Sequence, residues 1–188
     1  MIVRKLREDD LVDAVRIIAL SFERELIAIF KDVDIARDIA TEFFRVNRDG
    51  CYVAEEGRVV AFAWLIKEKP KIFKFLKSQM SFFDGLRSYI LLRFFLRRPK
   101  KGEGFLVFIA VSPLRRGSGI GTRFMNEVVS IARSEKINTL KCMVPAEGDA
   151  LIFFKNLGFE INGIFENKLA EKYFSCRSWV LLCKDLSA

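Results

Sequence analysis

Apolar residues along the chain recur at every second position in some stretches and at every third or fourth in others, which indicates strands and helices in turn. The run MIVRKL (1–6) predicts a short strand. A helix capped by Asp9 or Asp10 should follow, and a second helix, DIARDIATEFFRV, should begin at the capping Asp34. The first helix has one apolar side, formed by Leu11, Val12, Val15, Ile18 and Leu20.

The rest of the chain alternates between predicted strands and predicted helices. The stretch CYVAEEGRVVAFAWLIKE predicts a hairpin that turns at Glu56-Gly57. Strands are also predicted for GEGFLVFIAV (102–111), TLKCMV (139–144) and SWVLLCKDL (178–186), with FEINGIFE pairing near the last. Helices are expected over TRFMNEVVSIARSEK and over DALIFFKNL, which Gly158 closes. This order predicts one α/β domain, residues 1–188, built on a mixed sheet.

An inserted segment, residues 71–98, lies between the hairpin and the strand at 102–111. Its apolar spacing predicts a helix or a helix pair, with a break at Asp84-Gly85. The apolar side consists of Ile72, Leu76, Met80, Phe83, Leu86, Ile90 and Phe94. Arg87 and Arg93 interrupt the segment, which argues against a membrane span. Three interpretations stay open: a wall or lid beside a substrate cleft, a homodimer contact, or a basic helix on an anionic membrane surface.

The composition of the chain limits the kinds of functional site that it can form. The chain has 188 residues, a net charge of +8 and no histidine. The charge favours anionic partners, although dispersed lysines and arginines also serve solubility alone. The commonest metal ligand is missing and the four cysteines form no C-x-x-C pair, so no metal site is expected. The N-terminal residues lack the apolar stretch of a signal peptide, and reduced cysteines in the cytoplasm are the expectation.

The run RRGSGIG (115–121) places glycine at every second position between a predicted strand and a predicted helix. Free amide groups and the helix dipole at such a junction bind phosphate, and Arg115 and Arg116 add positive charge. A tight turn packed against the sheet is the alternative. The P-loop needs a lysine that is missing here, and the dinucleotide fingerprint G-x-G-x-x-G needs glycine where Thr122 stands.

The segment Arg116–Gly121 matches [Q/R]-x-x-G-x-[G/A], the coenzyme A pyrophosphate loop of the GNAT superfamily of N-acetyltransferases. Around it, FIAVSPLRRGSGIGT resembles the family's usual strand, A-V-x-P and glycine loop. Further on, Ala150, Phe154, Gly158 and Phe159 stand where the family has alanine, tyrosine and G-F. The resemblance implies a mixed, mostly antiparallel twisted sheet flanked by helices, here with a helical insertion before the coenzyme-binding strand.

By this resemblance the protein is an acyltransferase that moves an acetyl group from acetyl-CoA to a primary amine by direct attack. Pantetheine would pair with the backbone of Ile109, Ala110 and Val111 in a gap facing TLKCMV, and an N–H near Val111 would polarise the acetyl carbonyl. Phe154 would contact the coenzyme. The pyrophosphate would lie on Arg115, Arg116, Gly117, Ser118, Gly119, Ile120, Gly121 and Thr122.

The group that protonates the leaving thiolate is left open. The family's tyrosine for this step falls on Phe154, which has no proton to give, and an asparagine often found upstream falls on Glu147. Water can protonate the thiolate instead. Tyr173 is a candidate substitute acid, and a packing role for its ring is the alternative.

The base that deprotonates the amine is also left open. Glu103 is a candidate because it shares the strand side of Phe105, although a solvated charge at the strand end is its other interpretation. Glu23 and Glu25 lie near the first helical region, which flanks the acceptor in the family, and are further candidates. Burial would have to raise the pKa of whichever carboxylate serves.

Hypotheses from other classes also stay open. Phe154 allows a regulatory module that binds acetyl-CoA without turnover, and the net charge allows a nucleic-acid-binding protein, although the sequence has no recognisable motif for one. We expect neither nucleic acid nor a membrane as partner. The acceptor is open among peptide N-termini, lysines, polyamines, aminoglycosides and amino sugars, because KCMVPAE lacks the E-x-R-x-x-N of the ribosomal-protein subgroup. The insertion 71–98 should shape the choice of acceptor.

Overall fold

The computed structural model describes residues 1–187, which form seven strands and eight helices. The strands are β1 (Ile2–Lys5), β2 (Cys51–Glu55), β3 (Val59–Ile66), β4 (Glu103–Val111), β5 (Thr139–Pro145), β6 (Glu160–Glu166) and β7 (Ser178–Asp185). The helices are α1 (Leu11–Ser21), α2 (Glu23–Phe30), α3 (Val33–Val46), α4 (Ile72–Gln79), α5 (Phe82–Phe95), α6 (Ile120–Ser134), α7 (Asp149–Asn156) and α8 (Lys168–Phe174).

The strands form a single sheet in the order β1-β2-β3-β4-β5-β7-β6. Every neighbouring pair is antiparallel except β4 and β5, which run parallel and are joined by the crossover helix α6. This confirms the predicted fold class: a mixed, mostly antiparallel sheet flanked by helices, with two helices before β4.

Helices cover both faces of the sheet, so β3 is buried at every position. Its Phe62 and Trp64 pack with α1–α5 and α8 on one side, which we call the α1–α5 face. Its Ala61, Ala63 and Leu65 pack with α6 and α7 on the other, the α6–α7 face. Aromatic rings therefore concentrate on the α1–α5 face.

The inserted segment forms a helix pair, α4 and α5, on the α1–α5 face. The predicted break at Asp84-Gly85 is wrong; the break lies at Met80-Ser81, where the Ser81 hydroxyl caps α5 by accepting from the Asp84 amide at 3.2 Å. Gly85 lies inside α5, and a Cβ there would stand 3.6 Å from the backbone of Leu76. A Cβ would therefore make an ordinary contact with α4, and Gly85 does not end α5.

The structure also differs from the sequence pattern in one helix cap, in one helix start and in two additional helices. The predicted cap Asp10 does not cap α1; its carboxylate binds the Arg4 guanidinium at 2.5 and 2.9 Å. Helix α3 begins one residue after Asp32, whose carboxylate accepts from the amides of Asp34 and Ile35. Helices α2, of eight residues, and α8, of seven, were not predicted. No helix within residues 1–187 is both long and apolar enough to span a membrane.

Candidate functional site

The parallel strands β4 and β5 pair over only part of their length. Their Cα partners run from Glu103 and Thr139 to Leu106 and Cys142. Beyond that point β4 continues to Val111 bonded only to β3, and β5 continues along β7. The two strands therefore separate and leave a gap whose walls carry backbone groups without a partner strand in the described part of the chain.

A β-bulge marks the start of this separation. On β3, Trp64 pairs with Phe108 and the next residue, Leu65, pairs with Leu106, so Val107 has no opposite residue. A bulge bends its strand and increases the local twist, which turns the end of β4 away from β5. Ile109, Ala110 and Val111 lie beyond the bulge, on the β4 wall of the gap.

The glycine run forms the loop between β4 and α6. Gly117 and Gly119 have φ angles of 75° and 74°, in the left-handed region that other residues rarely adopt. A Cβ at either position would meet no atom within 4 Å, so the loop borders open space. A Cβ at the third glycine, Gly121, would lie 3.6 Å from the side chains of Phe153 and Val111, so the packed turn, the alternative interpretation, fits Gly121 but not Gly117 or Gly119.

Backbone N–H groups of the loop face no protein acceptor. The amides of residues 117–122 donate to no other group within residues 1–187, and the first bond into α6 comes from the Arg123 amide to the Gly119 carbonyl, at 3.1 Å. The start of a helix also carries partial positive charge. This combination suits an anion with several oxygens, as a diphosphate has.

Three arginines flank the loop, and their guanidinium groups have different partners. Arg115 forms an ion pair with Glu56 of the β2–β3 turn, and Arg123 approaches the same carboxylate at 3.5 Å. Arg116 is exposed and donates to Ser21 Oγ, at the end of α1, at 3.2 Å. Glu56 offsets part of the positive charge of the first two, whereas Arg116 has no carboxylate partner within residues 1–187.

A cavity of about 400 Å³ extends from the gap into the α1–α5 face. This volume is typical of small-molecule sites, which span ~300–1,000 Å³. Ser21, which contacts Arg116, also lines the cavity, so the loop and the cavity adjoin at the end of α1. Among the described residues that line it, Glu25 of α2 is the one with a carboxylate.

Comparisons with known proteins identify the family. Residues 16–159 match the model of the acetyltransferase (GNAT) family. The chain belongs to the GNAT family of acetyltransferases. A search of curated proteins gives no match to this acetyltransferase.

Solved structures share the fold of this acetyltransferase at low sequence identity. A ribosomal-protein-alanine N-acetyltransferase from Brucella melitensis is 22% identical, with a TM-score of 0.66 over 98% of this chain and 99% of that chain. An N-acetyltransferase from Staphylococcus aureus is 18% identical, with a TM-score of 0.63 over 98% of each chain. At these identities the likeness shows the fold alone.

The donor of the GNAT family, acetyl-CoA, fits the features described above. The concave loop bordered by Gly117 and Gly119, with its free amides, has room and donors for the diphosphate. The gap beyond Leu106 has the open strand edges that an extended pantetheine arm could pair with. No group of three or more His, Cys, Asp or Glu side chains within residues 1–187 is arranged to hold a metal ion.

The structure does not bring Glu103, the predicted base of the acetyltransferase, to this gap. Glu103 begins β4, at the end where β4 and β5 are still paired, and its carboxylate binds the Lys141 ammonium at 2.5 Å and the Lys100 amide at 3.0 Å. Burial alone would raise the pKa of Glu103, but these two donors outweigh it and hold the pKa below its usual range. A carboxylate in this setting is a weak proton acceptor. Its role as a base stays a prediction with little support.

The two aromatic positions singled out by the sequence are also apart from each other. Tyr173 lies on α8, with the Arg87 guanidinium 5.5 Å from its ring centre, and it does not line the cavity. Phe154 of α7 is buried, lines the cavity beside the gap and packs on Phe159. Phe154 is thus near the expected place of the coenzyme, whereas the acid role predicted for Tyr173 stays untested and unsupported.

Sequence reasoning gave residues 71–98 as a possible wall beside a cleft, and Ile72 and Leu76 of that segment do line the cavity. Apart from these and Phe154, it missed the apolar wall. Its aromatic residues come from separate helices and strands: Phe22, Phe30, Phe43, Phe44, Trp64, Phe75, Phe95, Phe108, Phe154 and Trp179. Glu25 was one of several candidate carboxylates, and only the fold distinguishes it from Glu23, which is exposed on the same helix and does not line the cavity. The high phenylalanine content, 19 residues, was the one available signal, and it predicts a core equally well.

Proposed function

We propose that this acetyltransferase moves the acetyl group of acetyl-CoA to a primary amine by direct attack. The observation that supports this most strongly is the separation of β4 and β5 beyond Leu106 and Cys142, directly beside a loop of free amides. A thioester carrier with a diphosphate at one end and an extended arm matches both features at once.

In this proposal the free amides of residues 117–122 hold the diphosphate, and the side chain of Arg116 adds charge. The backbone of Ile109, Ala110 and Val111 lies along the pantetheine arm, and Phe154 bounds the arm from the side of α7. The contribution of these residues is orientation, because holding an amine near an activated carbonyl removes much of the entropic barrier.

We propose Glu25 as the proton acceptor, in preference to Glu103 and Tyr173. Glu25 is half-buried and lines the cavity, and none of the ion pairs within residues 1–187 includes it. The amine nitrogen forms the C–N bond to the acetyl carbon as the C–S bond breaks. The ammonium first loses one proton to Glu25, directly or through water, which frees the nitrogen to attack. The nitrogen loses a second proton to solvent as the amide forms, and the departing thiolate takes a proton from water.

A covalent acyl-enzyme has little support. Cys142 is the cysteine that lines the cavity in the described part of the chain. Burial raises the pKa of its thiol, so it stays protonated and weakly nucleophilic at neutral pH. Direct transfer is therefore the simpler chemistry for this site.

Two measurements test the proposal. Acetyl-CoA at a hundred times its dissociation constant should stabilise the folded protein by about 2.7 kcal/mol, seen as a raised melting temperature. Incubation with acetyl-CoA and a panel of primary amines should then release free thiol in proportion to acetylated amine. An unchanged melting temperature would sink the proposal, and binding without thiol release would favour the regulatory module.

A further inference from the structure

The lining of the cavity on the α1–α5 face limits which amines can bind there. This inference rests on the proposed function. The cavity is bounded by residues of α1, α2, α3, α4 and α5 together with the walls of the gap. It therefore begins where the acetyl carbonyl would lie and ends among the helices that precede β4.

The lining is almost entirely hydrocarbon. Among its described residues only Ser21 and Glu25 have side-chain oxygen atoms, and both lie near the α1–α2 junction. The deeper walls are formed by aromatic and aliphatic side chains such as Phe43, Phe75 and Leu92. A ligand in this space can gain by burying apolar surface, but it finds few partners for polar groups.

This lining discriminates between acceptor classes. A polyamine or an aminoglycoside carries several positive charges, and each buried charge needs a partner that the described lining lacks beyond Glu25. We propose that the acceptor is a primary amine with one positive charge carried on an apolar aliphatic or aromatic body. The body lies between α3, α4 and the sheet, and the amino group lies near Glu25.

The same cavity could instead hold a long acyl chain on the donor, but Glu25 argues against that occupant. Glu25 is half-buried and has no ion-pair partner within residues 1–187, so a ligand with a cationic group gains an ion pair there. An ammonium group supplies one, whereas a hydrocarbon acyl chain does not. The position of Glu25 therefore assigns the cavity to the amine.

A matched substrate series tests this assignment. With acetyl-CoA as donor, kcat/KM should rise at least about tenfold from ethylamine to hexylamine or phenethylamine, and spermidine should fall below hexylamine. Equal or better activity with spermidine, or with a peptide that begins with alanine, would overturn the inference. The inference would also be overturned if kcat/KM showed no trend along the amine series but rose when hexanoyl-CoA replaced acetyl-CoA as the donor. Thiol release with the polar amines alone would leave the proposed function standing, whereas no release with any amine would remove it.

Variants on α4 test whether the residues that line the cavity determine the preference for an amine. Phe75 and Phe73 are both half-buried on this helix, but only Phe75 lines the cavity. Phe75→Ala should enlarge the cavity and shift the preference towards longer or bulkier amines by about threefold to tenfold, with unchanged affinity for acetyl-CoA. Phe73→Ala should leave the preference as it is. Equal shifts in both variants would contradict the inference.

A second pair of variants, on α2, tests the same inference independently, in case Phe75→Ala destabilises the protein. Leu26 is half-buried and lines the cavity, whereas the next residue, Ile27, is exposed and does not. Leu26→Trp should fill the cavity and lower kcat/KM for hexylamine at least about tenfold, and it should affect ethylamine less. Ile27→Trp is the control, and melting temperatures show whether each variant is folded. Equal losses for both amines in Leu26→Trp would overturn the assignment.

Discussion

The two faces of the sheet meet at the gap between β4 and β5. One face offers a ligand backbone groups, and the other offers it side chains. On the α6–α7 face the backbone of one continuous loop, residues 117–122, provides free amides. On the α1–α5 face, side chains from several helices and strands line a cavity whose described residues include a single carboxylate, Glu25.

This difference separates two kinds of recognition. A loop of backbone amides accepts any ligand with a suitably placed diphosphate, so it suits a donor shared by a whole family. A cavity made by side chains changes with each substitution, so it suits an acceptor that differs from one enzyme to the next. Substitutions on either side should therefore affect the two substrates separately.

Gly119→Val should give the largest effect on one substrate alone, a loss of affinity for the donor acetyl-CoA. A branched side chain is strained at a φ of 74°, and it would project into the open space that the loop amides face. Losing two hydrogen bonds to a charged diphosphate, each worth ~1.5–3 kcal/mol, predicts acetyl-CoA affinity weaker by about 100-fold or more. Isothermal titration calorimetry with acetyl-CoA measures this directly.

Gly57→Val is the matched control for the loop. Gly57 has a φ of 75°, and a Cβ added there would meet no atom within 4 Å, so the backbone strain is the same, but it lies in the β2–β3 turn. We expect both variants to lose a similar amount of stability, and Gly119→Val alone to lose affinity. Comparable loss of affinity in both would mean that strain, and not contact with the diphosphate, governs binding.

A smaller effect, on the acceptor side, is expected from Glu25→Gln. Removing a positioned proton acceptor lowers kcat by about 100-fold in typical cases, and the affinity for acetyl-CoA should not change. Glu23→Gln removes an equal charge from the same helix outside the cavity, and it should stay within about twofold of the wild type. Steady-state thiol release with the best amine of the panel checks both, and full activity of Glu25→Gln would return the base role to water or to another carboxylate.

The contrast between the faces also explains what the sequence could predict. Gly117 and Gly119 were recognisable because a left-handed backbone restricts the residue type at its own position. The strand before them and the helix after them were recognisable from local periodicity, and the fold class followed from their order. The strand, the loop and the helix that we assign to the donor were therefore predictable, and the binding of acetyl-CoA by their residues stays a prediction.

The acceptor side was not predictable in this way. Leu26, Phe43, Phe75 and Leu92 become neighbours only when α2, α3, α4 and α5 pack on the sheet. Each of them looks like an ordinary core residue in its own helix, and the short helix α2 was not predicted at all. Glu103 lies on the strand that borders the gap, but at its paired end, and its ion pair with Lys141 of β5 could not be read from the sequence.

The smallest effect is expected from Glu103→Gln, which decides between the sequence-based and the structure-based choice of base. The folded pKa of Glu103 is lowered, so its ion pair with Lys141 contributes stability that is present above the unfolded carboxylate pKa of ~4.3. That stability is lost as the pH falls below this value and through the lower pKa of the folded state. The variant should therefore lose less stability than the wild type between about pH 6 and pH 3, by no more than ~1 kcal/mol, measured by urea denaturation at each pH. Its kcat should stay within about threefold of the wild type, because Glu103 lies at the paired end of β4. A fall of kcat as large as that of Glu25→Gln would show that protons leave the amine along β4, and the distinction between a backbone donor side and a side-chain acceptor side would no longer hold.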